Sequence, residues 1–299
     1  MTISVSIIVV MANRNHPKIG LALGSGGAKG LSHIGVLKVL EAAEIDIDYI
    51  AGSSIGALVG AYYAAHPSLK DLEELVFSFN KRKGFMLFDP VLRGGLIRGN
   101  KIEKFISEML EGATFKSLRI PFWAVATDFI TAEEVVISKG NLVKAVRASI
   151  SVPAVFKPIG YEGRILADGG LSDPVPASVV RTMGADVVIA VNVDGKFVDS
   201  ASKAPSLVQT PMHSVGILQQ NLTLQSLQTA DVIISPTLPS MGFVGWNYFF
   251  DTDKAQQIIK SGEDAAQVIL PGLRRIIEEK RKEGRGMRRF FTFFRRLRR

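Results

Sequence analysis

Short runs of bulky apolar residues alternate along the chain with segments of helical composition. The runs at 18–23, 47–51, 120–126, 135–137, 164–167, 185–191 and 230–234 have the length and composition of buried strands. Helices are predicted at 31–40, 55–65, 68–79, 101–110, 142–149 and 254–279, and in the first of these the leucine and isoleucine side chains are spaced for one apolar face. This alternation of strand and helix indicates an α/β fold.

The turn after the second predicted strand carries a G-x-S-x-G motif, GSSIG at Gly52–Gly56. A serine between a buried strand and a helix matches the nucleophile elbow, in which the hydroxyl stands clear of the backbone at a helix N-terminus. The flanking glycines, Gly52 and Gly56, would give the tight turn its room. The motif therefore predicts Ser54 as a nucleophile. The other interpretation is a glycine-bearing helix start, with Ser53 or Ser54 as the N-cap.

The first strand runs into a glycine-rich loop, GSGGAKG at Gly24–Gly30, and a helix follows. Backbone N–H groups and the helix dipole make such a loop a place for an anion. A dinucleotide fingerprint starting at Gly24 would need glycine where Lys29 stands, and a P-loop would need Ser or Thr after that lysine. The loop suits an oxyanion hole better, with donors at Gly26 and Gly27. An ordinary tight connection and a nucleotide-binding protein are the alternatives.

Composition excludes several classes of site. The chain has 299 residues, of which 47% are hydrophobic and 21% charged, so it can bury a large core. It has no cysteine, which excludes disulfides, cysteine metal sites and a thiol nucleophile, and fits a reducing compartment. The apolar run at 5–11 is too short to span a bilayer and has no basic residues before it. We expect residues 1–17 to be an N-terminal extension.

Positive charge is concentrated at the C-terminus. Residues 274–299 hold twelve Lys and Arg and three acidic residues, a net of +9, and the other 273 residues carry −1. The nearly neutral body gives no reason to expect nucleic-acid binding. Wound as a helix, this tail would place Met287, Phe290, Phe291, Phe294 and Leu297 on one side and arginines on the other. That composition is typical of a helix lying on an anionic membrane, here through Arg285–Arg299; packing onto the body, or a frayed terminus, is the alternative.

A third motif, Asp168-Gly169-Gly170, follows the strand at 164–167. An aspartate at a strand end, backed by two glycines, can meet another group, although a plain D-G turn is common. Asp128 also follows a strand, but there a turn-closing role is favoured over catalysis.

These motifs resemble, in their order, the patatin-like phospholipase family, close to its small bacterial members. The stretches 143–158 and 173–176 fit as well, and the likeness runs from about 18 to 193 and more weakly from 230 to 273. The resemblance implies a three-layer α/β sandwich with a central, mostly parallel sheet flanked by helices. It also implies a Ser-Asp dyad without histidine, with Ser54 as nucleophile and Asp168 as base, and an oxyanion hole at Gly26 and Gly27. The supporting motif positions are Gly24, Ser25, Lys29, Gly30, Gly52, Gly56, Gly169 and Gly170.

One position departs from the family pattern, because the family loop usually begins Gly-Gly-Gly and Ser25 stands at the first of these places. Ser25 could narrow the approach of a substrate to the loop. A Ser-His-Asp triad would instead use His213, the only later histidine, but that residue lies in a Ser- and Pro-bearing stretch without strand pattern. The dyad is therefore the preferred interpretation.

The sequence thus predicts a hydrolase domain at 18–273 followed by the basic tail at 274–299. The expected activity is that of a serine acyl hydrolase, a phospholipase, lysophospholipase or esterase, acting on a lipid or ester substrate without metal or cofactor. A cytoplasmic protein, peripheral at the inner face of the membrane, is expected. The alternative is a catalytically idle, membrane-associated adaptor with the same fold. The apolar segment 81–100 is interpreted either as a mobile cover for a lipophilic substrate or as a loop packed on the body.

Overall fold

The structure is a computed structural model that describes residues 16–66, 68–78, 97–194, 209–239, 241 and 245–297. Most of the N-terminal extension and most of the segment 81–100 lie outside these residues. The strands are β1 (Ile19–Leu23), β2 (Tyr49–Ser53), β3 (Phe122–Asp128), β4 (Glu134–Ile137), β5 (Ile159–Tyr161), β6 (Arg164–Asp168), β7 (Val187–Val191) and β8 (Val232–Ile234). The helices are α1 (Ser32–Ala42), α2 (Ile55–Ala65), α3 (Lys70–Ser78), α4 (Asn100–Met109), α5 (Leu142–Ser149), α6 (Ala177–Met183), α7 (Gln209–Ser226), α8 (Trp246–Phe249) and α9 (Thr252–Leu297).

The strands form one mixed, mostly parallel sheet in the order β5-β6-β3-β2-β1-β7-β8, and β4 also pairs with β3. The pairs β1–β2, β1–β7, β2–β3 and β7–β8 are parallel, whereas β6 runs antiparallel to β3. In this register Leu23 of β1 lies opposite both Gly52 and Val191. The carboxyl ends of three neighbouring strands therefore meet at one edge, where ligand sites of open α/β sheets lie.

Side-chain alternation in the central strands gives the sheet two different faces. On one face Leu21, Leu23 and Ile50 are fully buried against α1, α2 and α9. On the other face Ala22 and the small residues beside it pack against α6. The sheet thus has helices α1, α2 and α9 packed on the face with the large residues and helix α6 on the face with the small ones, which makes three layers. The predicted α/β sandwich with a central, mostly parallel sheet is confirmed.

Helix α1 differs from its prediction of one apolar face, because it is buried nearly all round. It packs along α9, and the two helices touch through glycines. A Cβ added at Gly35 would lie 1.9 Å from the carbonyl oxygen of Ile259, and one at Gly262 would lie 2.0 Å from that of Ser32. Only residues without a side chain allow this close backbone approach. The part of α9 from Ala255 to Leu273 thus contributes side chains to the core.

Several elements differ from the expectations. The final helix, predicted at 254–279, continues from Thr252 to Leu297, so the main chain of the basic tail is helical as far as Leu297. The stretch around His213 is part of α7, and β5 and α6 were not predicted. Helix α7 has no Asp, Glu, Lys or Arg, so the usual alternation of charged and apolar faces is missing from its sequence. Among the described residues, every helix is too short or too polar to cross a bilayer.

Candidate active site

The turn between β2 and α2 holds Ser54 in an unusual backbone conformation, with φ 55° and ψ −124°. A non-glycine residue at positive φ is strained, and such strain concentrates at functional sites. The two glycines of the motif make the turn possible, because a Cβ at Gly52 would lie 2.4 Å from the carbonyl oxygen of Gly56, and one at Gly56 would lie 2.1 Å from that of Leu23. The Ser54 hydroxyl makes no capping hydrogen bond to α2. The turn therefore has the geometry of an elbow and not that of a side-chain N-cap.

The Ser54 hydroxyl points at Asp168. Its Oγ donates a hydrogen bond to Oδ2 of Asp168 at 2.6 Å, and the other carboxylate oxygen, Oδ1, accepts one from the Gly170 N–H at 2.8 Å. Ser54 is 4% and Asp168 2% exposed. The antiparallel β6 brings Asp168 opposite Ala126 of β3. Two motifs 114 residues apart in sequence thus form one buried pair.

Burial is the main influence on the pKa of the Asp168 carboxyl group. Removal from water, which disfavours the charged form, raises the pKa of Asp168 from its ordinary value of 3.8 to about 7. The hydrogen bonds from Ser54 and Gly170 act against this rise, and the nearby charge of Asp194 adds to it. A carboxylate with a pKa near neutrality is matched to accepting and returning a proton at physiological pH.

The start of the glycine loop is fixed from three sides. The Gly24 N–H donates to the carbonyl of Val191, and the Ser25 N–H donates to that of Pro174, at 3.1 and 2.8 Å. The Gly24 carbonyl accepts a hydrogen bond at 2.8 Å from Nε2 of His33, a fully buried histidine. Burial lowers the pKa of His33 to about 4, so the imidazole is neutral and holds the loop as a hydrogen-bond donor.

The next two residues of the loop present free backbone donors. Gly26 has φ 152° and Gly27 φ 58°, both in the region that favours glycine. Within the described part of the chain, neither N–H group has a protein acceptor. A short 3₁₀ helix, Gly27–Leu31, leads from here into α1, and a helix start favours an anion. The loop that ends β1 lies beside the turn that ends β2, so these donors belong to the same edge of the sheet as Ser54.

Two further polar residues border the loop. Lys29 and Asp194 form an ion pair with 3.8 Å between Nζ and Oδ1. Burial raises the pKa of Asp194, and the lysine charge acts against this rise. Ser25, the departure from the family pattern, is buried, and its Oγ lies 2.9 Å from the point where a Cβ on Gly170 would be. It therefore packs against the turn that carries Asp168.

Among the residues whose side chains are described, no histidine contacts Asp168 as a Ser-His-Asp triad would require. In the part of the chain whose side chains are described, the carboxylate of Asp168 contacts Ser54 and the Gly170 N–H and no histidine. The side chain of His213 lies outside that part. Asp128 closes a turn, as predicted, because its Oδ1 accepts from the N–H groups of Ile130 and Thr131 at 2.9 and 3.2 Å.

Comparison with known proteins identifies the family of the chain. A family model described as patatin-like phospholipase matches residues 21–181, more than half of the chain. The chain belongs to the patatin-like phospholipase family. The three motifs singled out in the sequence all fall inside the matched region, and the resemblance inferred from them is confirmed.

Proteins similar in sequence to this patatin-like chain are longer than the region they share with it. An uncharacterized NTE family protein of Mycobacterium bovis is 41% identical over 180 residues, which cover 60% of this chain and 50% of that protein. Patatin-like phospholipase domain-containing protein 6 of Homo sapiens is 35% identical over 182 residues, covering 58% of this chain and 13% of that protein. The chain thus matches half, or less, of the length of these relatives.

A solved structure agrees in fold. The crystal structure of VipD from Legionella pneumophila superposes with a TM-score of 0.50 at 14% identity, and the match covers 87% of this chain and 67% of that chain. This likeness supports the patatin-like architecture of the sheet and its flanking helices.

Sequence reasoning missed two supporting residues, Ser149 at the end of α5 and Ser151 just after it. Ser149 Oγ accepts a hydrogen bond from the Ser54 N–H at 2.9 Å, and the Ser151 carbonyl accepts one from the Asp168 N–H at 3.1 Å. Both serines stand in VRASISVP, where the sequence indicated a helix ending at Ser149 and a family likeness but no role for either serine. Serines at or just beyond the end of a short helix carry no signal of their own in the sequence, because only the fold brings them to the turn at Ser54.

Proposed function

We propose that this protein is a lipid acyl hydrolase that uses Ser54 as nucleophile and Asp168 as general base. The observation that carries the proposal is the buried 2.6 Å hydrogen bond from the Ser54 hydroxyl to the Asp168 carboxylate at a strained strand-to-helix turn. Membership of the patatin-like phospholipase family supports a lipid ester as the substrate class. Both groups belong to the chain itself, so the reaction needs no cofactor.

In the first half of the reaction Asp168 takes the proton of the Ser54 hydroxyl while Oγ attacks the ester carbonyl carbon. The negative charge that develops on the carbonyl oxygen is stabilised by the N–H groups of Gly26 and Gly27. The tetrahedral intermediate then breaks the bond to the alcohol. Protonated Asp168 gives its proton to the departing alkoxide, and the acyl group remains on Ser54.

In the second half water replaces the alcohol. Asp168 takes a proton from water as its oxygen attacks the acyl carbonyl, and the same N–H groups stabilise the second intermediate. Collapse breaks the bond to Ser54 Oγ, which recovers the proton from Asp168, and the fatty acid is released. One carboxylate thus serves as base and acid in both halves.

Labelling with a fluorophosphonate tests the assignment of the nucleophile. We expect the wild-type protein to be labelled once, at Ser54, and to hydrolyse a fluorogenic ester. Ser54→Ala should lose both properties while keeping its fold, whereas Ser53→Ala, which removes the neighbouring buried hydroxyl, should keep both. Labelling at Ser53 or Ser151 would contradict the proposal, and a folded wild type without ester hydrolysis would favour the idle adaptor.

We further propose that the basic end of α9 holds the enzyme on an anionic membrane surface. Helical main chain as far as Leu297 supports the proposal, since the prediction of an aromatic and a basic side depends on that conformation. The segment from 274 onward carries a net charge of +9. Helix α9 is anchored to the body through α1, so membrane contact by its end would bring the hydrolase domain to its substrate.

A further inference from the structure

Ser54 has a second buried hydrogen-bonding group, its own backbone N–H. The first N–H groups of a helix have no intrahelical acceptor, and Ser54 stands at the start of α2. Its N–H donates to Oγ of Ser149 at 2.9 Å. Ser149 is the last residue of α5 and is fully buried. A side chain distant in sequence thus holds the main chain of the proposed nucleophile.

The same hydroxyl is fixed on its other side. Ser149 Oγ donates its proton to the carbonyl of Val125 on β3 at 2.5 Å. A serine hydroxyl has one proton and two lone pairs, so giving the proton to Val125 leaves a lone pair for the Ser54 N–H. In the sheet Val125 lies opposite Ser53, the residue before the nucleophile. Ser149 therefore ties the strained turn to the neighbouring strand.

The end of α5 also holds the base. The Ser151 carbonyl accepts the Asp168 N–H at 3.1 Å. Ser151 is fixed in turn by Arg147, a fully buried guanidinium that donates to Ser151 Oγ at 2.8 Å and to the carbonyl of Gly99 at 3.3 Å. The main chains of the proposed nucleophile and base are thus tied to two residues of one short, packed segment, Ser149 and Ser151.

We propose that Ser149 is a positioning residue that holds Ser54 in its reactive conformation. The inference rests on the proposed role of Ser54 as nucleophile. A residue at φ 55° keeps that conformation only when its surroundings impose it, and the hydrogen bond from its N–H is part of what imposes it here. Because this N–H is committed to Ser149, it is not a donor to the substrate oxyanion.

Four variants test this role. Ser149→Ala and Ser149→Val remove the hydroxyl, whereas Ser149→Thr keeps it and matches valine in shape. We expect the Ala and Val variants to lose on the order of 10²-fold in kcat with little change in KM, because misplacement of a reacting group costs about this much. The Thr variant should stay close to the wild type. Ser54→Ala, measured in the same assay, reports on the nucleophile itself.

A second measurement does not depend on activity. Amide hydrogen exchange at Ser54, followed by NMR, should be faster in the Ala and Val variants than in the wild type and the Thr variant, with the rest of α2 unchanged. Thermal unfolding checks that each variant is folded. Wild-type kcat and wild-type exchange in Ser149→Ala would overturn the proposal. Equal losses of kcat in the folded Thr and Val variants would also overturn it, because the effect would then come from the larger side-chain volume at position 149 and not from the missing hydroxyl. Retained hydrolysis in Ser54→Ala would overturn the proposed function, and the exchange data would still report on the Ser149 bond.

Discussion

Replacing Asp168 by asparagine should stabilise the protein at alkaline pH while removing its proposed base. The carboxylate is buried, and both of its oxygens accept hydrogen bonds. Asparagine has the same shape, keeps an oxygen for the Gly170 N–H and carries no charge. The substitution therefore removes the free-energy cost of burying a negative charge. Active sites commonly carry such a cost, because function can require a destabilising group.

The size and sign of the effect follow from the pKa. The unfolded chain loses the Asp168 proton near pH 3.8 and the folded protein near pH 7, so between these values the folded state binds a proton that the unfolded state lacks. The stability of the wild type therefore falls as pH rises through this window, and the full penalty is present above pH 7. A shift of about three units corresponds to about 4 kcal/mol. About two of those units lie above pH 5, so between pH 5 and pH 8.5 the variant should gain about 3 kcal/mol relative to the wild type.

Urea unfolding of both proteins at pH 5 and pH 8.5 measures this difference. Hydrogen bonds changed by the substitution contribute equally at both pH values. They therefore cancel when the difference in free energy of unfolding between variant and wild type at pH 5 is compared with that at pH 8.5. Asp71→Asn, at an exposed position of α3, controls for the loss of one negative charge. A gap between Asp168→Asn and the wild type that does not widen with pH would refute the reasoning, because the carboxylate would then be as well solvated in the folded protein as in the unfolded chain.

Four other predictions concern activity, folding and location. Hydrolysis of a soluble short-chain ester should rise with pH through about 7 and then level off, because Asp168 must be ionised to act as base; a fall over this range would argue against that role. Gly56→Ala should lower the thermal transition far more than Gly160→Ala, because an added Cβ meets backbone 2.1 Å away at the first position and nothing within 4 Å at the second. His213→Ala should keep near-wild-type activity, and a loss of about 10²–10⁴-fold in a folded protein would show that a triad operates. Deleting Arg285–Arg299 should release the protein from anionic vesicles in sedimentation assays, and high salt should weaken full-length binding only in part; truncated protein that still pellets fully would contradict the membrane role.

Local patterns account for much of the architecture. Strands such as β1 and β7 could be predicted because both of their faces are buried, which requires nearly continuous apolar runs. Helix α5 was predicted with its observed bounds. Helix α7 was missed because it has no charged face, and the all-round burial of α1 depends on α9, whose approach to α1 cannot be read from either segment alone.

By itself the sequence determined the three motifs and their order along the chain. These are a glycine loop, a G-x-S-x-G turn and a D-G-G turn, and each follows a predicted strand. These signals are local, because each motif needs its small residues for its own turn. Only the tertiary structure decided that Ser54 and Asp168 meet at 2.6 Å, that burial raises the pKa of the aspartate, and that Ser149 holds the Ser54 N–H. Those facts depend on strand pairing and on exclusion of water by the assembled core, and both arise from contacts between segments far apart in sequence.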